Sequence, residues 1–249
     1  MILNIAAYHF ARIDDPQALV ANLRGRAEAL ALRGTVLVAE EGVNLFLAGG
    51  EAAVRAFIAG LREDARFADI AVKESWSDAV PFARLKVRAK PEIISFRRAG
   101  SSPLAGRAPA VDPDTLARWL RQGHDDAGKR VVMLDTRNAQ EAEFGSFAGA
   151  EILPIVKFTD LPAEVEARKA DWSDATVVSF CTGGIRCEKA ALWMRNEAGM
   201  DNVLQLDGGI LGYFERVGGE GYEGACFVFD DRIALDPALR PLADGEALA

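Results

Sequence analysis

The stretch VVSFCTGGIRCEKAALWM, Val177–Met194, decides the fold of the second half of this chain. Its first four residues form a short apolar run, which is typical of a strand buried on both faces of a parallel sheet. The paired glycines that follow predict a tight turn, and a helix is expected to start near Cys187. This pattern predicts a strand–loop–helix unit with Cys181 at the carboxyl end of the strand, where α/β folds build their sites.

The segments around this unit alternate between strand and helix signals. Strands are predicted at Val131–Leu134, Val177–Phe180 and Val203–Leu206, and helices from Pro113, over Leu161–Lys169 and over Cys187–Glu197. Strands that alternate with helices favour a parallel α/β domain.

The first hundred residues show a different order of elements. Strands are predicted at Ile2–Phe10, Thr35–Ala39, Leu45–Ala48, Ile70–Lys73 and Leu85–Val87, with helices from Pro16 and Glu51. The order β-α-β-β-α-β favours a ferredoxin-like α+β sandwich. We therefore predict a ferredoxin-like (acylphosphatase-like) domain over 1–96, a linker rich in Gly, Pro and Ser over 97–112, the α/β domain over 113–232 and a tail over 233–249.

Charge is divided unevenly along the chain. The net charge is −8, but residues 1–100 hold 14 Lys and Arg against 12 Asp and Glu, and the remainder holds 15 against 25. Only the first part is therefore suited to a polyanion.

Composition and motifs also indicate in which compartment the protein works and which cofactors it can bind. No apolar run approaches the roughly 20 residues of a membrane helix, and no signal peptide is recognisable. With three cysteines and no such signal, we expect a reduced, cytoplasmic protein without a membrane partner. Two histidines and no Cys-x-x-Cys pair predict no metal site, and without a Gly-x-Gly-x-x-Gly motif no flavin or nicotinamide cofactor is detectable.

Cys181 is the predicted reactive residue. Backbone amides of the glycine turn and the positive end of the following helix converge near it, which lowers a thiol pKa and favours the thiolate. Arg186 adds a fixed cation suited to an anionic substrate. The predicted active-site loop comprises Cys181, Thr182, Gly183, Gly184, Ile185 and Arg186.

The other two cysteines have different expected roles. Cys187, near the first turn of the predicted helix, is either a second thiol that resolves a persulfide or disulfide on Cys181 or a small core residue. Cys226 lies in an apolar, strand-like run and is expected to be packed.

The loop CTGGIR resembles the active-site loop of the rhodanese family, and three further stretches agree. These are LDTRN (Leu134–Asn138), FGSFAGAEILP (Phe144–Pro154), in which Ser146 replaces the family's His, and LDGGILGY (Leu206–Tyr213). The resemblance implies a persulfide on Cys181. It also implies that Asp135 and Arg137 either orient the loop or form a structural ion pair.

The length of the loop distinguishes two reactions. Four residues separate Cys181 from Arg186, whereas phosphatases on related folds have one residue more. A tighter loop favours a sulfur atom or another small group over phosphate, so phosphatase activity is not expected.

A narrower resemblance covers nearly the whole chain. EEGVN (Glu40–Asn44), FARLKVRAKPEIISF (Phe82–Phe96) and CFVFDDR (Cys226–Arg232) are similar to the rhodanese-domain tRNA uridine hydroxylases. This resemblance implies conversion of the wobble uridine to 5-hydroxyuridine, the tRNA anticodon region as partner and molecular oxygen as co-substrate. Many members carry a Cys-rich C-terminal extension that this sequence lacks. The alternative is sulfur transfer from thiosulfate or another small sulfur donor through a Cys181 persulfide.

A run of basic residues gives an independent reason to consider RNA. Lys86, Arg88 and Lys90 alternate with apolar residues, which on a strand places the charges on one face. Together with Arg97 and Arg98 they are candidates for phosphate contacts; the alternative is a solvated strand face. Phe82 and Phe96 flank the run, and core packing is expected for both.

Overall fold

The computed structural model describes residues 1–242, which divide into two compact units. The first unit comprises Met1–Ser95 with Asp230–Arg232, and the second comprises Phe96–Phe229 and the chain from Ile233 onward.

The first unit is a two-layer sandwich of one sheet and two helices. It contains β1 (Ile2–Phe10), α1 (Pro16–Ala29), β2 (Arg33–Ala39), β3 (Gly42–Gly49), α2 (Glu51–Arg62), β4 (Val72–Ser77) and β5 (Leu85–Ala89). The strand order is β4-β1-β3-β2-β5, and every pair is antiparallel except β2 with β5. This confirms the ferredoxin-like prediction, to which β5 is added as a parallel edge strand.

Local sequence explains the two helices of this unit. The side chain of Asp15 accepts a hydrogen bond from the Ala18 N–H at 2.9 Å, and Pro16 occupies the first turn of α1. On α2, Val54, Phe57 and Leu61 are buried at helical spacing against the sheet. The apolar faces of both helices therefore share one core with the strands.

The second unit is built on a parallel sheet. It contains β6 (Ala110–Val111), α3 (Pro113–Gln122), β7 (Val131–Asp135), α4 (Ala139–Ala142), β8 (Gly145–Phe147), β9 (Glu151–Ile152), α5 (Leu161–Arg168), β10 (Thr176–Phe180), α6 (Ile185–Asn196), β11 (Val203–Leu206), α7 (Gly209–Val217), β12 (Tyr222–Gly224), β13 (Cys226–Phe227) and β14 (Ala234–Leu235). The main sheet has the order β6-β11-β10-β7-β9 with all pairs parallel. The strand β10 is central and buried along its whole length, as its apolar sequence predicts.

The structure differs from the predicted linker and tail. Within 97–112, short 3₁₀ turns at Ala99–Ser101 and Pro103–Ala105 contact α6, and β6 joins the main sheet. Within 233–249, β14 pairs with β13 because the buried Leu235 joins the apolar core. The remainder of the predicted tail, 243–249, lies outside the described residues.

The segment just before β14 belongs to the first unit. The Asp231 N–H donates to the Pro81 carbonyl at 3.1 Å, and Arg232 donates to Ser75 Oγ at 2.7 Å.

None of the helices within residues 1–242 is long and apolar enough to cross a membrane.

Candidate active site

Cys181 lies directly after the central strand β10, and its sulfur faces the first amides of α6. The Gly184 N–H donates to Cys181 Sγ at 3.2 Å. Gly184 has φ +97°, a left-handed conformation that favours glycine, and it is the residue preceding α6. The helix therefore begins two residues earlier than predicted, and its free N–H groups are directed at the sulfur.

The environment of Cys181 lowers its thiol pKa. Burial alone raises the pKa, but a hydrogen bond from the Cys187 thiol, the charge of Arg186 and the backbone N–H groups of both residues outweigh burial and lower it from 9.0 to about 6. The thiolate is therefore the main form at neutral pH.

The start of α7 fixes the backbone of the loop. The Ile210 and Leu211 N–H groups donate to the carbonyls of Cys181 and Thr182 at 2.9 and 3.0 Å. Gly209 has φ +62°, and a Cβ there would lie 2.5 Å from the Cys181 oxygen. Because the loop carbonyls are bound on this side, its amides remain available to the sulfur. The sequence analysis did not reveal this close contact.

Arg186 is in a different position from the one expected for a residue that binds an anionic substrate. Its guanidinium is buried and binds the Glu141 carboxylate through two hydrogen bonds of 2.6 and 2.8 Å. Glu141 also accepts from the Asn138 N–H at 3.0 Å and so caps α4. Arg186 therefore fastens α6 to α4, and it acts on the sulfur through its charge. Glu141 was missed, although its Asn-x-x-Glu capping pattern was visible in the sequence.

Asp135 and Arg137 form a fully buried ion pair at the end of β7. Arg137 Nη2 lies 2.6 Å from Asp135 Oδ2 and also donates to the Gly145 carbonyl at 2.7 Å. Ser146, which stands where the general rhodanese pattern has His, donates to the same Asp135 oxygen at 2.9 Å. These contacts join β7 to β8, and Arg137 reaches the active-site strand through the ring of Phe180, whose centroid lies 6.0 Å from its guanidinium carbon.

Cys187 places a second thiol at the site. It is fully buried on the first turn of α6, and its thiol and that of Cys181 are close enough for each to shift the pKa of the other. Its sulfur also lies 3.4 Å from Thr136 Oγ1, and the Thr136 hydroxyl donates to the Phe180 carbonyl at 2.9 Å. Burial and the neighbouring Cys181 raise the pKa of Cys187, so this thiol stays protonated.

Cys226 has no such neighbour among its described contacts. It lies on β13, and its thiol donates to the Phe227 carbonyl at 3.7 Å. Burial raises the pKa of Cys226 to about 12.

A row of three phenylalanine rings adjoins the loop. The Phe227 centroid lies 5.3 Å from that of Phe144 and 5.0 Å from that of Phe229, and the Thr182 hydroxyl donates to the Phe227 carbonyl at 3.4 Å. Phe229 is 56% exposed, which is unusual for so large an apolar side chain. The sequence analysis did not single out this row, because Phe144 lies far along the chain from Phe227 and Phe229.

The loop is most open at Gly183. Cys181 is only 1% exposed, whereas Gly183 is partly exposed, and a Cβ placed on Gly183 would meet no atom within 4 Å. A small reactant therefore approaches the sulfur most easily past Gly183.

The basic residues follow the predicted period of two. Lys86 and Arg88 are exposed on β5, the buried Val87 lies between them, and Lys90 is exposed just beyond the strand. Arg24, which the sequence analysis missed, reaches from α1 to the Val87 carbonyl at 2.6 Å and adds a cation at this edge.

The remaining basic and aromatic candidates lie in different environments, and the core packing expected for both phenylalanines is seen for Phe96 and only partly for Phe82. Arg97 and Arg98 are exposed at the start of that unit. Phe96 is buried, with its ring stacked on Phe158 at 4.5 Å, whereas Phe82 is partly exposed. Within residues 1–242, no three His, Cys, Asp or Glu side chains are grouped as a metal ion requires.

Comparison with known proteins agrees with both units. The UPF0176 acylphosphatase-like domain matches residues 2–93, and the rhodanese-like domain matches residues 114–216. A tRNA uridine(34) hydroxylase of Xanthomonas euvesicatoria pv. vesicatoria (strain 85-10) is 64% identical over 249 residues, which is 100% of this chain and 100% of that protein. The chain belongs to the tRNA uridine(34) hydroxylase family. A second member of the tRNA uridine(34) hydroxylase family, from Xylella fastidiosa (strain 9a5c), is 61% identical over 249 residues, covering 100% of this chain and 96% of that protein.

Proposed function

We propose that this chain hydroxylates uridine 34 of tRNA to 5-hydroxyuridine and that the Cys181 thiolate is the catalytic nucleophile. The observation that carries the proposal is the sulfur itself, which accepts the Gly184 N–H at 3.2 Å and has a pKa of about 6. Relatives more than 60% identical along the whole chain support the proposal, because their name states hydroxylation of uridine 34 of tRNA. A tRNA substrate implies action in the cytoplasm.

The chemistry begins with addition of the thiolate to C6 of the uracil ring. Addition makes C5 electron-rich, so that C5 attacks molecular oxygen, the co-substrate that the family resemblance implies, and forms a peroxide at C5. Loss of the C5 proton then expels Cys181 and leaves a 5-hydroperoxide, and two electrons and two protons convert this group to the 5-hydroxyl and one water. A thiolate held by backbone amides suits both steps, because it is a nucleophile and also a good leaving group.

Exposed cations in each unit support RNA as the substrate. In the first unit Lys86, Arg88 and Lys90 are exposed and suited to phosphate contacts; in the second unit Arg97 and Arg98 are, each group considered by itself. Beside the loop, the exposed ring of Phe229 offers a stacking face to an unpaired base.

Sulfur transfer is the second candidate, and the tight loop favours it. With four residues between Cys181 and Arg186, the amides surround a space suited to a single sulfur of a persulfide. The pairing of Arg186 with Glu141 weakens the case for an anionic donor such as thiosulfate, because the guanidinium is already bound.

One experiment separates the two functions. Cells lacking the protein are restored with the wild type, Cys181→Ser or the control Cys226→Ala, and their tRNA nucleosides are analysed by high-resolution mass spectrometry. Resolution is essential because adding oxygen and exchanging oxygen for sulfur change the mass almost equally. We expect 5-hydroxyuridine derivatives with the wild type and the control but not with Cys181→Ser. Unchanged wobble nucleosides, together with thiosulfate:cyanide sulfurtransferase activity that depends on Cys181, would overturn the hydroxylase proposal and leave sulfur transfer.

A further inference from the structure

Hydroxylation by molecular oxygen has an electron requirement that uridine alone does not meet. One oxygen atom enters the C5–H bond, and the other becomes water, which consumes two further electrons and two protons. Two thiols that form a disulfide release two electrons and two protons. The site holds two free thiols, Cys181 and Cys187, each of which shifts the pKa of the other.

The placement of these thiols brings them to one end of the active-site loop. Cys181 directly follows β10, Cys187 lies on the first turn of α6, and the two thiols are close enough for each to shift the pKa of the other. Cys187 is held in place by Thr136, whose Oγ1 lies 3.4 Å from its sulfur and is itself fixed by the Phe180 carbonyl at 2.9 Å. Both thiols are buried, but Cys181 belongs to the loop that is partly exposed at Gly183, so an external oxidant reaches Cys181 before Cys187.

We propose that Cys187 is the resolving thiol of the reaction and that the Cys181–Cys187 pair supplies the two electrons; this inference rests on the proposed function. After C5 has bound oxygen and Cys181 has left C6, the ring carries a 5-hydroperoxide. The Cys181 sulfur attacks its terminal oxygen, the O–O bond breaks, and 5-hydroxyuridine and a Cys181 sulfenic acid form. Cys187 then attacks the Cys181 sulfur, and the hydroxyl leaves as water.

The sum of these steps balances. One uridine, one dioxygen and two thiols give one 5-hydroxyuridine, one disulfide and one water. An external dithiol reductant must then open the disulfide before the next turnover. The division of labour follows from the two environments: Cys181 is the thiolate that reacts with substrate, whereas the protonated Cys187 thiol does not compete for the uracil ring.

The test is a single turnover without added reductant. The full chain is reduced, freed of reductant and mixed in air-saturated buffer with tRNA from cells that lack the protein. After quenching with an alkylating agent, 5-hydroxyuridine is counted by mass spectrometry of nucleosides and the Cys181–Cys187 disulfide by peptide mapping. We expect equal amounts of product and disulfide, and one product per enzyme until dithiothreitol is added.

Variants of Cys187 add a second readout to the single-turnover test, namely the oxidation state of Cys181. Cys187→Ser and Cys187→Ala should leave Cys181 as a sulfenic acid that dimedone traps, whereas the control Cys226→Ala should behave as the wild type. Product formed while both wild-type thiols stay reduced would overturn this inference and leave the hydroxylase function standing. Absence of 5-hydroxyuridine with the wild type, even when dithiothreitol is present, would overturn both.

Discussion

Gly209 approaches the carbonyl oxygen of Cys181 so closely that a Cβ on Gly209 would lie 2.5 Å from that oxygen. The same Cβ would lie 2.6 Å from the Gly184 nitrogen, the donor to the reactive sulfur. Close packing against the start of α7 therefore fixes the backbone conformation of the active-site loop.

Replacing this glycine should therefore damage the site. In Gly209→Ala the new methyl group meets backbone atoms, and its φ of +62° is strained for alanine, so the loop must shift and the Cys181 pKa should rise toward 9.0. Gly183→Ala is the matched control, because its Cβ meets nothing within 4 Å. Thiolate absorbance of the two variants against pH checks this. Equal titration curves would contradict the role given to Gly209.

The Arg186–Glu141 pair should stabilise the second unit. Glu141→Gln leaves a buried guanidinium without its countercharge, which should lower the free energy of unfolding by about 3 kcal/mol or more. Glu51→Gln is the control, since Glu51 forms an exposed pair with Arg55 and its loss should cost roughly 1 kcal/mol or less. Urea unfolding of both variants measures the difference. Similar losses in the two would show that the buried pair is not a structural anchor.

The basic strand β5 should contribute to tRNA affinity through phosphate contacts. Lys86→Gln and Arg88→Gln should each lower the slope of log affinity against log salt by about 1. The control is Arg12→Gln, which removes another exposed cation of the first unit, one that pairs with Asp14, and should leave the slope unchanged. Binding of whole tRNA at several salt concentrations tests this. A salt dependence of tRNA affinity that is unchanged in Lys86→Gln and Arg88→Gln would show that these residues do not contact tRNA phosphates.

The exposed ring of Phe229 should hold a base of the anticodon loop. Phe229→Leu keeps an apolar side chain but loses the stacking face, so the KM for tRNA should rise on the order of tenfold. Phe229→Trp should retain the wild-type KM, and Leu104→Ala serves as the control at another exposed apolar residue. If the leucine variant keeps the wild-type KM, stacking at Phe229 is refuted.

The sequence was sufficient for the elements whose determinants are local. Asp15 and Asp112 cap helices that begin with proline, and both side chains accept the expected backbone hydrogen bonds. The apolar run before Cys181 forms the central buried strand, and the two glycines after it form the turn, although only Gly184 adopts a positive φ.

Contacts between residues that lie far apart in the sequence could not be predicted from the local sequence pattern. Glu141 lies 45 residues from Arg186, and only the folded sheet brings α4 beside α6. The same holds for the phenylalanine row, in which Phe144 meets Phe227. The assignment of Asp230–Arg232 to the first unit could not be predicted for the same reason, because the sequence of these three residues does not indicate that Ser75 and Pro81 are their hydrogen-bond partners.

The central claim is that the Cys187 thiol, the charge of Arg186 and the loop amides together hold the Cys181 sulfur as a thiolate. The most direct measurement is the ultraviolet thiolate absorbance of the wild type minus that of Cys181→Ser, followed from acidic to basic pH. The pKa values of Cys187 and Cys226 are both raised, so Cys181 alone should titrate below pH 8, with a midpoint at about 6. A difference curve whose midpoint lies at 9.0, the ordinary value for a thiol, would contradict the account.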